Sequence, residues 1–207
     1  MQRSRKKSTA AAVRNKSLYE PKKKYYDGTV WAAVFMEETA VRRAAAGHEE
    51  DRGEHRIMEV QIRTMRIEDY EGVYGLWKTI HGFGIRSIDD SREGTERFLK
   101  RNPDTSIVAE RDGEIVGSIL CGHDGRTGYF YHVCVDERYR KQGIGRKMAT
   151  AAMRALQREQ INKVSLIAFK TNEIGNQFWH RFGWKERTDV NVYDFILNDE
   201  NITRFNK

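Results

Sequence analysis

Proline is nearly absent from this chain, with two residues in 207, and cysteine is equally scarce. Two cysteines, Cys121 and Cys134, argue against the disulfide framework that staples small secreted domains. They point instead to a reducing compartment, the cytoplasm, and to a pair of thiols buried in neighbouring strands. Long apolar runs are also missing. The longest, such as Val164–Phe169, have strand length and fall far short of the roughly 18 residues a membrane span needs, so no membrane partner is expected. The length suits one full domain and is short for two.

Charge is abundant but unevenly placed. The chain carries a formal +7, and residues 1–57 hold 13 Lys/Arg against 8 Asp/Glu. The remainder has 24 basic and 22 acidic residues, so the basic excess lies at the N-terminus and the body is nearly balanced. A body of that kind lacks the electrostatic footprint of a nucleic-acid binder, and nucleic acid is not the expected partner.

The character of the sequence changes near Met58. Residues 1–57 contain the clusters Arg5-Lys6-Lys7 and Lys22-Lys23-Lys24 and, apart from a helix-like stretch at Trp31–Ala46, no sustained periodicity. So little apolar surface predicts a basic, disordered extension. Its acid-free first 19 residues also resemble a transit peptide, and its clusters could hold phosphate backbones non-specifically. A further reading is that the segment is not part of the natural protein, because Arg52-Gly53-Glu54 can be encoded by a purine-rich stretch resembling a ribosome-binding site ahead of Met58. These readings stay open, and 58–207 is the expected domain.

Beyond Met58 the pattern is regular. Glu59–Met65 alternates as a strand, and Glu68–Ile80 places Tyr70, Val73, Tyr74 and Trp77 at helical spacing. His81-Gly82-Phe83-Gly84 breaks that helix, Asp90-Ser91 can cap a second one carrying Phe98 and Leu99, and Asn102-Pro103-Asp104 closes it. Ser106–Glu110 and Glu114–Cys121 flank an Asp112-Gly113 turn as a hairpin, and Tyr129–Val135 follows. A helix opens at Arg140–Gly145 and runs to about Glu159; then come a strand at Lys163–Phe169, a helix at Asn172–Phe182 and a last strand at Tyr193–Leu197. A meander followed by βαβ implies a mixed α/β (α+β) sheet, mostly antiparallel, with helices on both faces.

The most informative segment is Arg140-Lys141-Gln142-Gly143-Ile144-Gly145-Arg146, which follows a strand and a short polar turn. Glycines at a helix start allow close backbone approach, and the free N–H groups with the dipole behind them favour an anion such as a pyrophosphate. Arg140, Lys141 and Arg146 add positive charge. Two nucleotide motifs fail here. A dinucleotide fingerprint needs a small residue where Met148 stands, and a P-loop needs a hydroxyl after its lysine, where Lys147 is followed by Met148.

The segment resembles the GNAT superfamily of N-acetyltransferases, in which Arg/Gln-x-x-Gly-x-Gly/Ala opens the central helix; Arg140, Gly143 and Gly145 fall on that motif. Asn172-x-x-Gly175-Asn176-x-Phe178-Trp179-x-x-Phe182-Gly183-Trp184 is similar to the family's later motif, and Asp112–Gly117 to its hairpin, so the likeness runs from Glu59 to about Leu197. The resemblance implies acetyl-CoA as cosubstrate, no metal, and a parallel strand pair that splays to admit the pantetheine. Residues 140–146 would bind the pyrophosphate, the backbones of Val133 and Val135 the pantetheine amides, and Asn172 with Trp179 would flank the sulfur end. The acceptor would be a primary amine of a small molecule, a peptide N-terminus or a lysine. A homodimer is compatible with such a domain.

The chain departs from the family at Trp179, where a tyrosine often protonates the leaving thiolate. An indole is no acid in this range, although a thiol of pKa about 8.5 leaves tolerably without one. That departure, and the lack of a carboxylate on Lys163–Phe169, keep a non-catalytic CoA-binding module of the same fold as the alternative. His132 is the candidate base, with period-2 alternation placing it beside Phe130 and Cys134 and opposite Tyr131; a water relay competes with it. The stretch His81–Ser91 is expected to shape the acceptor site, with Asp89 and Asp90 drawing a cationic amine.

Overall fold

The computed structural model describes residues 59–207; the expectations for the basic N-terminal segment lie outside that range. Gln61–Thr64 forms β1, and a single 3-10 turn at Ile67–Asp69 leads into helix α1, Tyr70–Thr79. Its buried residues are Tyr70, Val73, Leu76 and Trp77; three of them are on the expected stripe, whereas Tyr74 is only partly buried and Leu76 lies outside that expectation. A short strand β2, Gly84–Arg86, precedes α2, Arg92–Arg101. Ser91 caps α2 by accepting from the Gly94 N–H at 3.0 Å. Gly94 is required there, since a Cβ would lie 2.2 Å from the Ile88 carbonyl oxygen.

The meander follows as β3 (Ile107–Arg111), β4 (Glu114–His123) and β5 (Gly128–Val135). Helix α3 spans Ile144–Arg158, β6 Val164–Leu166, α4 Glu173–Arg181 and β7 Thr203–Phe205. The main sheet has the order β1-β3-β4-β5-β6, antiparallel except for the parallel pair β5–β6. On one face α1 sets Trp77, Val73 and Leu76 in a cluster with Val108, Leu120 and Cys134. On the other face α3 lies close, with Met148 against Gly117 and Leu156 against Gly128, and α4 brings Trp179 to Phe130. The two buried cysteines are free thiols on neighbouring strands, but Cys121 is in register with Phe130 whereas Cys134 is in register with Ser118, so they face opposite sides of the sheet.

Two expectations need correction. Tyr193–Leu197 is not a strand: it has no pairing partner, and Tyr193, Phe195 and Leu197 are 86%, 87% and 94% exposed. The last strand is instead Thr203–Phe205, paired antiparallel with β2 in a separate two-stranded sheet. The pairing is decided by anchors that local pattern does not reveal. The Phe205 ring lies over Gly84, where a Cβ would come within 2.9 Å of it, and the Asn206 side-chain amide donates to the carbonyls of Trp77 (2.6 Å) and Ile80 (2.8 Å) at the end of α1. The strand expected at Lys163–Phe169 is also shorter, because only Val164–Leu166 finds partners on β5.

Candidate active site

The regular pairing of β5 fails on both of its edges near the same point. On the β6 side it runs from Gly128 to Phe130 and stops, so the strand from Tyr131 onward has no β6 neighbour. On the β4 side the register shifts between Ser118 and Leu120, with Cys134 opposite the first and Tyr131 opposite the second. Two residues, His132 and Val133, therefore stand opposite one, which is a β-bulge. His132 takes it up with φ of +50°, a left-handed conformation that costs a side-chain-bearing residue about 1 kcal/mol or more.

The bulge re-aims the strand. Alternation would have put His132 on the face of Phe130; the structure corrects this. Phe130 packs against Trp179 and Trp184 on the α4 side, whereas Tyr131 meets Phe98 and His132 meets Trp77 and Phe83 on the α1–α2 side. The extra residue resets the two-residue period, so Tyr131 and His132 share a face. The imidazole packs against both Trp77 and Phe83, ring centroids 4.5 and 4.8 Å away. Ser118 braces the bulge: its hydroxyl accepts from the Trp77 indole at 2.9 Å and lies 3.4 Å from the His132 carbonyl oxygen.

His132 also has an acidic partner that the sequence did not announce. Its Nε2 is 2.7 Å from Oδ1 of Asp90, which is only 4% exposed. Oδ2 of Asp90 accepts the Arg86 backbone N–H at 2.6 Å. Asp90 is thus neither the cap of α2, a role Ser91 fills, nor an open lure for a cation. Asp89 is the exposed one of the pair, held by Arg86, Arg97 and Asn201. The Cys134 thiol near by is pushed up to about 11 by burial and stays neutral.

At the far end of β5 the chain makes a 3-10 turn, Glu137–Tyr139, and reaches the glycine-rich loop. Arg140 folds back, its Nε donating to the Val135 carbonyl at 3.1 Å and Nη1 pairing with Glu137 at 2.9 Å. Lys141 and Gly143 are both left-handed, with φ of +62° and +77°. Lys141, Gln142 and Gly143 are exposed and Ile144 is buried, so the loop is pinned by its last apolar residue. Gly143 starts α3 with no side-chain cap, and the first intrahelical bond is Lys147 N–H to the Gly143 carbonyl. No described residue accepts from the N–H groups of Ile144, Gly145 and Arg146, leaving three oriented donors at the helix mouth. Gly145 faces Phe178 and Val135, and Arg146 lies over the Phe182 ring at 4.8 Å. Val133, the second residue of the bulge, and Val135 lie on β5 ahead of this loop.

The remaining sequence candidates lie on α4. Asn172 caps that helix, its Oδ1 accepting from the Gly175 N–H at 2.9 Å. Trp179 is 9% exposed in an aromatic cluster with Phe130, Phe178, Phe182 and Trp184. Among the described residues no group of three or more His, Cys, Asp or Glu side chains is arranged to hold a metal, and no helix is long and apolar enough to cross a membrane.

Residues 62–184 match the profile of the Acetyltransferase (GNAT) family, a span that includes the bulge, the loop and α4. The chain belongs to the GNAT acetyltransferases. It is 32% identical over 114 residues to an acetyltransferase of Pectobacterium atrosepticum, covering 55% of this chain and 79% of that one. To an acetyltransferase of Sodalis glossinidius it is 33% identical over 131 residues, covering 63% and 91%. Among solved structures, an aminoglycoside N-acetyltransferase in complex with CoA superposes with a TM-score of 0.55 at 18% identity, over 69% of this chain and 99% of that one, a likeness of fold. The GNAT fold accounts for the mixed sheet with its single parallel pair and for the helices on both faces.

Proposed function

We propose that this GNAT protein transfers the acetyl group of acetyl-CoA to a primary amine, the amine attacking the thioester carbonyl directly. The observation that carries the reading is the mouth of α3: three unclaimed N–H donors behind an open, left-handed Gly143. A pyrophosphate is the ligand such a mouth suits, with Lys141 and Arg146 alongside and Arg140 shaping the turn. The pantetheine arm then follows β5 where β6 is no longer its neighbour, its amides bonding the backbones of Val133 and Val135 as an added strand would. Asn172 and Trp179 flank its sulfur end. The acceptor enters from the His81–Ser91 side, where His132 takes the ammonium proton. A small-molecule amine, a peptide N-terminus and a lysine all fit this chemistry; the neighbour solved with CoA is an aminoglycoside N-acetyltransferase.

One observation favours a second reading, a CoA-binding module without turnover. Trp179 packs as a core aromatic, so the position that carries a tyrosine acid in many relatives supplies no acid here.

Gly143→Asn and Gly143→Asp test the loop. Nothing lies within 4 Å of a Cβ built at Gly143, and both side chains tolerate a left-handed backbone, so the two variants differ in charge alone. Calorimetry with acetyl-CoA is expected to show at most about tenfold weaker binding for Asn and about 100-fold or more for Asp, whose carboxylate faces the pyrophosphate. Equal affinities in folded proteins would remove the loop from phosphate binding. Thiol release from acetyl-CoA across the three amine classes then separates the enzyme from the module, since the module releases none.

A further inference from the structure

We propose that Asp90 and His132 act as a pair in which Asp90 is a positioning residue. It holds the neutral imidazole protonated on Nε2 and leaves the Nδ1 lone pair to take the acceptor's ammonium proton. The proposal rests on the acetyl-transfer reading above and adds the residue and the ring nitrogen.

The geometry points to it in three steps. Asp90 Oδ2 is committed to the Arg86 N–H at 2.6 Å, which fixes the carboxylate plane and leaves Oδ1 to face His132 Nε2 at 2.7 Å. A carboxylate accepts only, so the proton between them sits on Nε2. The ring packs against both Trp77 and Phe83, and the bulge carbonyl is braced by Ser118. Nδ1 makes no hydrogen bond among the described residues, and the His132 side chain keeps 19% of its surface exposed. It does so from a bulge adjoining the place where β5 and β6 part.

The left-handed strain at His132 is thereby explained as the cost of aiming this ring. Other ionisable groups on the elements that pack near His132 are Arg86, which is tied to Asp89, with Tyr131 and Cys134 on β5 and Tyr70 and Tyr74 on α1. Burial pushes Tyr70 up to about 12, and its hydroxyl is spent on the Asp90 carbonyl at 3.0 Å. Asp90 is the only one of these groups that the structure bonds to the imidazole.

The acceptor ammonium gives one proton to Nδ1, which returns it to solvent, and the freed nitrogen lone pair forms the C–N bond. The carbonyl π pair moves to oxygen and returns as the C–S bond breaks. The thiolate takes the second amine proton, so the products are amide, CoA thiol and one solvent proton.

Asp90→Asn in the full-length protein is the decisive variant. The Arg86 N–H still demands an acceptor, so the Asn oxygen stays on it and the amide NH2 turns to Nε2. That forces the ring proton onto Nδ1 and removes the base with hardly a change in shape. Saturating turnover is expected to fall by about 100-fold and acetyl-CoA affinity to stay within about twofold. His132→Gln is expected to lose turnover to a similar degree. Nitrogen-15 NMR of the ring is expected to show the Nε2–H tautomer in the unaltered protein and the Nδ1–H tautomer in Asp90→Asn. An Nδ1–H ring in the unaltered protein overturns the pairing whether or not an amine substrate has been found. So does either variant keeping more than half of normal turnover. Should the unaltered protein turn over no amine, the acetyl-transfer reading fails, while the tautomer measurement still judges the pair.

Discussion

Trp179 is the residue at which family pattern and local chemistry part. It stands in a motif read from sequence, yet its ring is wedged among Phe130, Phe178 and Trp184, with the last centroid 4.7 Å away. Packing of that kind needs an aromatic face and no proton. Trp179→Phe is therefore expected to keep turnover within about threefold and to lower stability modestly, by about 1–2 kcal/mol, for the volume lost. Trp179→Ala opens a cavity and is expected to cost about 3–5 kcal/mol in chemical denaturation. If Phe abolished turnover with acetyl-CoA binding intact, the indole N–H would have a direct part in the chemistry. His132 shows the opposite case. Its candidacy was legible, but its partner was not, because Asp90 lies 42 positions away and its neighbour Ser91 takes the cap.

Among the elements, the small sheet β2–β7 is the one that sequence pattern missed on both strands. Each has three residues, too few for a period to register, and β2 begins at a glycine. Its role is to close the end of α1: Asn206 spans the last carbonyls of that helix, and its backbone exchanges bonds with Gly82 and Phe83. The same stretch holds Phe83 on His132, so β7 supports the site from a distance. Asn206→Ala is expected to lose about 1–3 kcal/mol in urea denaturation, as two helix-end acceptors go unpaired. Asn206→Asp is expected to lose at least as much, since a carboxylate cannot donate to them. Wild-type stability in both would show that β7 is dispensable to α1.

At the scale of the molecule, the buried apolar residues among those described run from Met65 to Phe182 and fill both faces of the sheet. A chain beginning at Met58 is expected to melt within about 3 °C of the full chain, a difference of about 1 kcal/mol or less, and to bind acetyl-CoA equally well. Molten or insoluble protein would show that residues 1–57 complete the core. The balanced charge of the remainder predicts that any retention on DNA is lost with those residues and falls steeply with salt.

What the sequence determined by itself was whatever is local and periodic. The stripe of α1, the cap of α2, the Asp112-Gly113 hairpin and the glycine-rich start of α3 each depend on residues within a few positions of one another, so spacing alone exposes them. Tertiary structure decided whatever needs a distant partner. Tyr193–Leu197 has strand composition but no edge to join, and Thr203–Phe205 became the strand because Gly84 and the end of α1 were there to receive it. The face of His132 was decided the same way. One extra residue opposite β4 shifts every later side chain of β5, and only the pairing of two strands can reveal that it is extra.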